Sequence, residues 1–598
     1  MGRWAIIAAP IGIVAGLGAA LFYYLITLFT GTFLVQIAGL TLPSEGTTTV
    51  SQLAWSSSFP RILLVPALMM VGGLAVGAII WGGASEVAGH GTDATIRAFH
   101  KNAGKVRVRV PILKTLASAI TLGTGGSGGR EGPVSQIGGG FGSIWSDVFR
   151  LGDRDRRIAL ATGMGAGIGA IFRAPLGGAV YSAEILYMGD FEPEVFVPAI
   201  IASVVAYSVY SSIFGFGTLF ATSLSSYAFD PRRLPLYAVL GIVCGAVGIF
   251  FTWMYHRTDA WFGSRHWPRV LKPVVGAAVA GAVFLGTYFL LPEQGHFASL
   301  SSLSIGYGFV QAVMLNQLSS GNFTVVILGI LLAAVFLRMV MTSFVVGSGG
   351  SAGLFGTSVV VGAFLGTMVG GISHDLLPGL VPLEVIPVFS IVGMMSFFGG
   401  ISKAPLGVLI MVVEMAGTLT ILPAAMLSIF VAYVATGRTH IYSEQIPSRI
   451  QSPAHQEEYR NYFLSGTPIA EIAAHESEAV PPSMRVGEAV DLAVLNGRSV
   501  LSVQEGQTWL GAVRLKDLLE VPAAQRAETR MADLARPVDL LLPADLSAAD
   551  SLRRMELQDT NVAAVLSVEG PSRVIGLVTR RGIRAPDVNS TPRSPSAR

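Results

Sequence analysis

The chain has 598 residues, of which 52% are hydrophobic and only 13% charged; the net charge is +3 and the mean hydropathy +0.60. Soluble domains carry about 25% charge, so the bulk of this chain is excluded from the soluble class, and +3 over such a length is no footprint of a nucleic-acid binder. The one cysteine, Cys244, excludes an internal disulfide.

In chain order, apolar runs cover residues 4–29, 61–81, 195–213, 234–253, 273–291, 323–347, 384–398 and 406–436. Several exceed the roughly 20 residues a helix needs to cross a bilayer. Shorter or Gly-broken ones can enter without spanning. The first run flows into more apolar sequence, so it reads as a membrane segment rather than a cleaved signal. Basic loops follow: Arg97, Lys101, Lys105, Arg107 and Arg109; then Arg150, Arg154, Arg156 and Arg157; then Arg257, Arg265, Arg269 and Lys272. Residues 39–58 hold no Lys or Arg. The basic loops are therefore expected on the cytoplasmic side, with both termini, and 39–58 outside.

Two phrases occur twice. Gly126-Ser127-Gly128-Gly129 returns as Gly347-Ser348-Gly349-Gly350, and Ala174-Pro175-Leu176-Gly177 with Glu184 returns as Ala404-Pro405-Leu406-Gly407 with Glu414. Related halves of about 1–220 and 230–442, broken by Gly and Pro at matching places, are the pattern of a transporter with its site near the midplane. Glu184 and Glu414 read as residues that cap or bridge helix ends.

The stretch Gly123–Pro133 contains G-x-G-x-x-G but lies in apolar surroundings without a βαβ context, which excludes a dinucleotide site. Gly-rich turns opening a helix aim backbone N–H groups at one point and make an anion site. Glu131 beside such donors would compete with an anion, as a gate or a proton carrier, and ionisable residues in membrane segments are functional candidates by default. The bland alternative is an Arg130–Glu131 surface ion pair, which adjacent residues on a helix are poorly placed to form.

After Ser443 the composition turns polar. Residues 443–466 read as a linker, residues 467–583 as a soluble α/β domain of two similar units, and residues 584–598 as a disordered Pro/Ser-rich tail. The rhythm of each unit, a helical pattern and then two short β-rich runs, resembles a tandem CBS pair. That resemblance implies an adenine nucleotide as ligand, with the Asp517 region as contact; the alternative for Asp517 is a helix cap.

Gly129-Arg130-Glu131-Gly132-Pro133, Gly353 and Phe355 within Ser351–Thr357, Tyr442, and both Ala-Pro-Leu-Gly phrases together resemble the CLC family of chloride channels and proton-coupled chloride exchangers. The resemblance runs from the start of the chain to about residue 450. It implies an all-α polytopic membrane domain, residues 1–442, built from two inverted helical repeats and followed by the α/β CBS pair. It implies a homodimer with one pore per subunit in a bacterial inner membrane, and no required cofactor, metal or enzymatic activity. Glu131 takes the role of gating glutamate. His90, Gly91, Arg130, Gly132, Leu354, Phe355 and Tyr442 line the anion path, with the N–H groups of Leu354 and Phe355 and the Tyr442 hydroxyl on the ion.

The departures bear on mechanism. Gly89-His90-Gly91-Thr92-Asp93 stands where the family has GSGIP, and Thr357 replaces a proline. His90 either donates an N–H to the anion, with pH-dependent charge, or packs aside; Asp93 is expected paired or facing the cytoplasm. Ile185 occupies the position from which exchangers deliver protons. Asp190, Glu192 and Glu194 are substitutes or members of a solvated turn. Ile185 makes passive, channel-like conduction of chloride or a similar anion the first expectation. Proton-coupled exchange of chloride, fluoride or nitrate, with nucleotide regulation through the CBS pair, is the alternative.

Overall fold

The computed structural model describes residues 2–46, 56–58, 60–221, 227–315, 325–476, 478–506, 508–567 and 573–584. The tail from 585 onward and residues 47–55 of the Lys/Arg-free loop lie outside the described residues. Two compact units divide at Ala454/His455.

The first unit is helical apart from a two-residue hairpin, β1 (Leu40–Thr41) with β2 (Ser56–Ser57). Its helices are α1 (Gly2–Phe29), α2 (Val65–Trp81), α3 (Thr92–Lys101), α4 (Arg109–Gly123), α5 (Glu131–Val148), α6 (Asp153–Ile171), α7 (Pro175–Glu184), α8 (Pro193–Phe214) and α9 (Leu234–Ser264). They continue with α10 (Leu271–Leu290), α11 (His296–Ser301), α12 (Tyr307–Met314), α13 (Val325–Gly347), α14 (Phe355–Leu376), α15 (Ile386–Ser402), α16 (Pro405–Ala416) and α17 (Leu422–Thr436). Among the described residues, eight helical stretches are long and apolar enough to cross a membrane.

The repeated phrases start helices for a local reason. Ala174 and Ala404 have non-helical backbones, and Pro175 and Pro405 follow at the first helical position, where a missing N–H costs nothing. The expected single run 406–436 is two helices, because Gly417 at φ 68° closes α16 in a left-handed cap. Periodicity missed α5, α6 and α14. The Gly-rich α5 and α6 are modestly apolar and mostly buried within the protein, whereas α14 is as apolar as α8 and was missed although its hydropathy suffices for a span. Arg338, hidden within an apolar run, is fully buried on α13 and donates to the carbonyls of Ser301, Leu303, Ser304, Ile305 and Gly128 at 2.6–3.3 Å. It ties the turn between α11 and α12 to Gly128 of the first Gly-rich phrase.

The two halves are cross-linked reciprocally. Glu184 accepts from Leu406 N (3.2 Å) and Gly407 N (2.6 Å), and Glu414 accepts from Leu176 N (3.2 Å) and Gly177 N (2.7 Å). Each glutamate ends its own helix and caps the start of its counterpart, as a pseudo-two-fold axis between the repeats requires. Carboxylates at helix N-termini are favourable.

In the second unit, α18 (Gln456–Gly466) and α19 (Ile469–Glu476) precede β3 (Glu478–Val480), α20 (Val486–Leu495), β4 (Val500–Glu505), β5 (Thr508–Arg514) and α21 (Leu515–Glu520). The order repeats as β6 (Leu541–Pro543), α22 (Ala548–Leu557), β7 (Val562–Leu566), β8 (Val574–Thr579) and α23 (Arg580–Arg584). Each sheet has three strands, a parallel pair across the helix and then an antiparallel hairpin. Sequence patterning missed β3 and β6, which are three residues each. The stretch expected as a linker is structured throughout. Gln445 Nε2 donates to Ile185 O (3.0 Å) and Ser402 O (2.8 Å) in the first unit, while 456–466 is α18 of the second.

Candidate functional site

The site is built where the two Gly-rich phrases meet. Gly129 and Gly353 exchange both backbone hydrogen bonds at 2.7 Å, as a single antiparallel bridge. The bridge brings the N-terminus of α5 against that of α14. A side chain on Gly353 would collide with the Glu131 carboxylate, so glycine is required there by close approach.

Glu131 is 2% exposed. Its Oε1 accepts from Phe355 N, and its Oε2 from Gly356 N at 3.1 Å. The carboxylate therefore sits on the positive end of α14, on donors suited to a free anion. Phe355 was expected among those donors. Gly356, the second donor to the carboxylate, was not named from the sequence; Leu354, expected to donate to an anion, is the residue that precedes the helix.

Arg130 is fully buried and does not pair with its neighbour. Its Nη1 meets Glu45 Oε1 at 3.0 Å, and its guanidinium lies 5.3–5.5 Å from the ring centres of Tyr23, Phe172 and Tyr307. Cation–π contact in a desolvated cage holds the charge in place. Arg130 and Glu45, the latter from the loop without Lys or Arg, mark one side of Glu131.

His90, Gly91 and Tyr442 mark the other side. Tyr442 is fully buried, with its ring centre 5.3 Å from that of His90 and 6.4 Å from that of Phe398, which in turn lies 4.7 Å from Phe355. Its hydroxyl lies beside that of Tyr181, and no bond of standard geometry satisfies it. Gly91 has φ 89°, and a Cβ there would come within 2.7 Å of Gly132 O and 3.0 Å of Lys114 Cε. Gly132 itself packs against the His90 carbonyl.

The departures resolve into contacts. Asp93 accepts from Ser443 Oγ (2.7 Å), Ser443 N (3.2 Å) and Glu444 N (3.2 Å), and its Oδ2 lies 3.4 Å from His90 Nε2. It is paired, and it ties the start of α3 to the segment carrying Tyr442. Thr357, in place of proline, bonds Thr342 Oγ1 at 2.7 Å, which bonds Ser127 Oγ at 2.9 Å. Ile185 is fully buried; its side chain offers no titratable group. Asp190 accepts from Arg449 N, Glu192 from the Tyr187 hydroxyl (2.7 Å), and Glu194 pairs with Arg154.

A second buried cation, besides Arg338, escaped sequence reading. Lys114 is fully buried on α4, and its ammonium donates to Val87 O (3.0 Å) and Gly89 O (2.8 Å), directly behind Gly91. A lysine in an otherwise apolar helix was the available signal. A cavity of about 580 Å³ opens from His90 past Asp93, Tyr255, His256 and Asp259 to the basic residues Arg97, Lys105 and Arg107.

A family model described as voltage-gated chloride channel matches residues 72–437. The H(+)/Cl(−) exchange transporter ClcA of Yersinia pestis is 29% identical over 371 residues, 61% of this chain and 72% of that protein. An uncharacterised protein of Methanocaldococcus jannaschii is 27% identical over 365 residues, covering 61% and 83%. The crystal structure of a slow cyanobacterial Cl−/H+ antiporter superposes with a TM-score of 0.60 at 19% identity, over 74% of this chain and 96% of that one.

Proposed function

The chain belongs to the CLC family of voltage-gated chloride channels, integral membrane proteins that move anions and are not enzymes, and from that premise we propose that it exchanges chloride for protons. Glu131 is the gate. Its carboxylate occupies the N–H donors of Phe355 and Gly356, the same donors a chloride ion would use. Anion and carboxylate compete for one set of dipoles, so the anion enters when Glu131 is protonated or displaced. Protonation and anion occupancy are thereby linked, and the linkage is reciprocal. This single arrangement carries the reading.

The exchange transporter named among the relatives supports the same choice. It favours coupled exchange over the passive conduction that Ile185 first suggested. Phe355, Gly356, Tyr442 and the His90–Gly91 turn form the path, with Gly132 beside them and Lys114 behind Gly91. Arg130, held by Glu45, attracts anions on the far side. The basic loops face the cytoplasm, the protein acts as a homodimer, and the bacterial inner membrane is its site.

The second unit is a CBS pair with an adenine nucleotide as regulatory ligand. A cavity of about 710 Å³ there is lined by Arg514, Lys516, Arg580 and Arg581 around Leu515 and Val562. Cationic side chains around an apolar floor suit a phosphorylated, planar ligand.

The test is chloride flux from proteoliposomes with external pH recorded at the same time. An imposed chloride gradient is expected to drive protons uphill. Glu131→Gln, neutral at every pH, is expected to abolish proton movement and to leave a chloride flux that no longer varies with pH. A Glu131→Gln protein that still pumps protons would remove Glu131 from the gate.

A further inference from the structure

Exchange requires a group that carries protons between the basic vestibule and Glu131. We propose that His90 is that group, a proton-relay residue standing between the vestibule carboxylates Asp93 and Asp259 and Glu131; the inference rests on the exchange reading above.

Geometry selects His90. The vestibule ends at its ring, which is nearly enclosed: the residue is 6% exposed. Its backbone carbonyl packs on Gly132, the residue next to Glu131. Nε2 lies 3.4 Å from Asp93 Oδ2, while Nδ1 is buried without a hydrogen-bond partner. The ring thus has one nitrogen beside a carboxylate and another unsatisfied in the interior. Histidine is the side chain that changes charge near neutral pH.

The groups around it come from four elements. Asp93 lies on its own turn of α3. Asp259, Tyr255 and His256 come from α9, with Tyr255 at 6.1 Å between ring centres. Tyr442 stands at 5.3 Å, and Lys114 of α4 holds the Gly89 carbonyl. Asp259 lines the same cavity as His90 and Asp93.

The other acids near the α7 end are already committed. Glu184 caps α16 through two N–H bonds, Glu192 is bonded to Tyr187, and Glu194 is paired with Arg154. Ile185 carries no proton. In the proposed step a proton from the vestibule forms an N–H bond at Nε2, and the Nδ1–H bond breaks toward the interior. The Glu131 carboxylate takes that proton and becomes the neutral acid, releasing the Phe355 and Gly356 donors to the anion. One proton enters the ring at Nε2 and one leaves from Nδ1, so the ring ends as the Nε2–H tautomer; the Nδ1–H tautomer is restored when the ring turns to the vestibule and exchanges protons with its water, Nδ1 gaining one proton and Nε2 losing one. Asp93 stays ionised and orients the ring.

The experiment uses the full chain in proteoliposomes and reads the ratio of proton to chloride flux. In His90→Gln, which keeps an N–H donor but cannot carry a proton, that ratio is expected to fall at least about tenfold, within the range of a lost proton-transfer group. Adding Ile185→Glu to His90→Gln is expected to restore proton flux by supplying an acid nearby. Asp259→Asn, which removes negative charge facing the ring, is expected to shift the dependence of proton flux on vestibule pH toward lower pH, and it serves if His90→Gln does not fold. A His90→Gln protein with the wild-type ratio overturns the assignment, as does an unshifted profile in Asp259→Asn. Wild-type protein that moves chloride without protons overturns the exchange reading itself, a result separable from the other two.

Discussion

At the scale of single residues, charge placement decides what the site can do. A buried carboxylate is costly unless donors satisfy it, and Glu131 has two backbone N–H groups from α14. Arg130 next to it is paired separately with Glu45 through Nη1 and lies against three rings. The pair that looked adjacent in sequence points to opposite sides of the site. Glu444 shows the same economy at the vestibule mouth, where Lys101 Nζ (2.8 Å) and Arg97 Nη2 (2.8 Å) meet its two oxygens. Partial burial pushes its carboxyl up, but the two cations outweigh that and hold it below the ordinary glutamate range. A folded value below the unfolded one means the stabilisation is complete above about pH 4.3 and is lost as pH falls through the folded value. Detergent-solubilised protein is expected to lose part of its thermal stability on acidification below that point. Glu444→Gln is expected to lose less over the same interval. Equal acid slopes in the two proteins would show that the triad contributes nothing.

At the scale of elements, the helices α7 and α16 are paired through each other's glutamates. The sequence placed Glu184 and Glu414 at matching positions and suggested a capping or bridging role. The partner of each was not legible, because a cap normally serves its own helix and these serve the other repeat. Losing a side-chain cap costs about 1 kcal/mol. Glu184→Ala and Glu414→Ala are each expected to lower stability by roughly that amount, with the more enclosed Glu184 costing more. Thermal unfolding of both single variants checks this, and a Glu184→Ala protein as stable as wild type would contradict the cap. Helices α5 and α6 escaped hydropathy for a related reason. They face protein on all sides, so close packing through Gly and Ser replaces apolar bulk. Lys114 and Arg338 sit in helices for the same reason: carbonyls rather than lipid surround their charges.

At the scale of the whole molecule, the chain is two units that divide at Ala454/His455. The first has its own core and ends in a segment locked by Gln445 and Asp93. Protein truncated after Ala454 is therefore expected to remain folded and to transport chloride. Flux from proteoliposomes of the truncated chain measures this, and a truncated protein that is folded but inactive would assign transport a requirement for the second unit. Composition, the repeated phrases and the Gly-Arg-Glu-Gly-Pro motif were enough, by themselves, to point to a helical membrane protein of the CLC family and to nominate Glu131 as a candidate gate. They did so because bilayer thickness, helix-breaking Pro and Gly, and adjacent motif residues all act over short stretches of chain. Only the tertiary structure decided that Gly356 shares the carboxylate with Phe355, that Asp93 is tied to Ser443, that Arg130 belongs to Glu45, and that Lys114 stands behind Gly91. Those contacts join residues tens to hundreds of positions apart. Electrostatic energy depends on distance and burial in space, and neither is written in the order of residues.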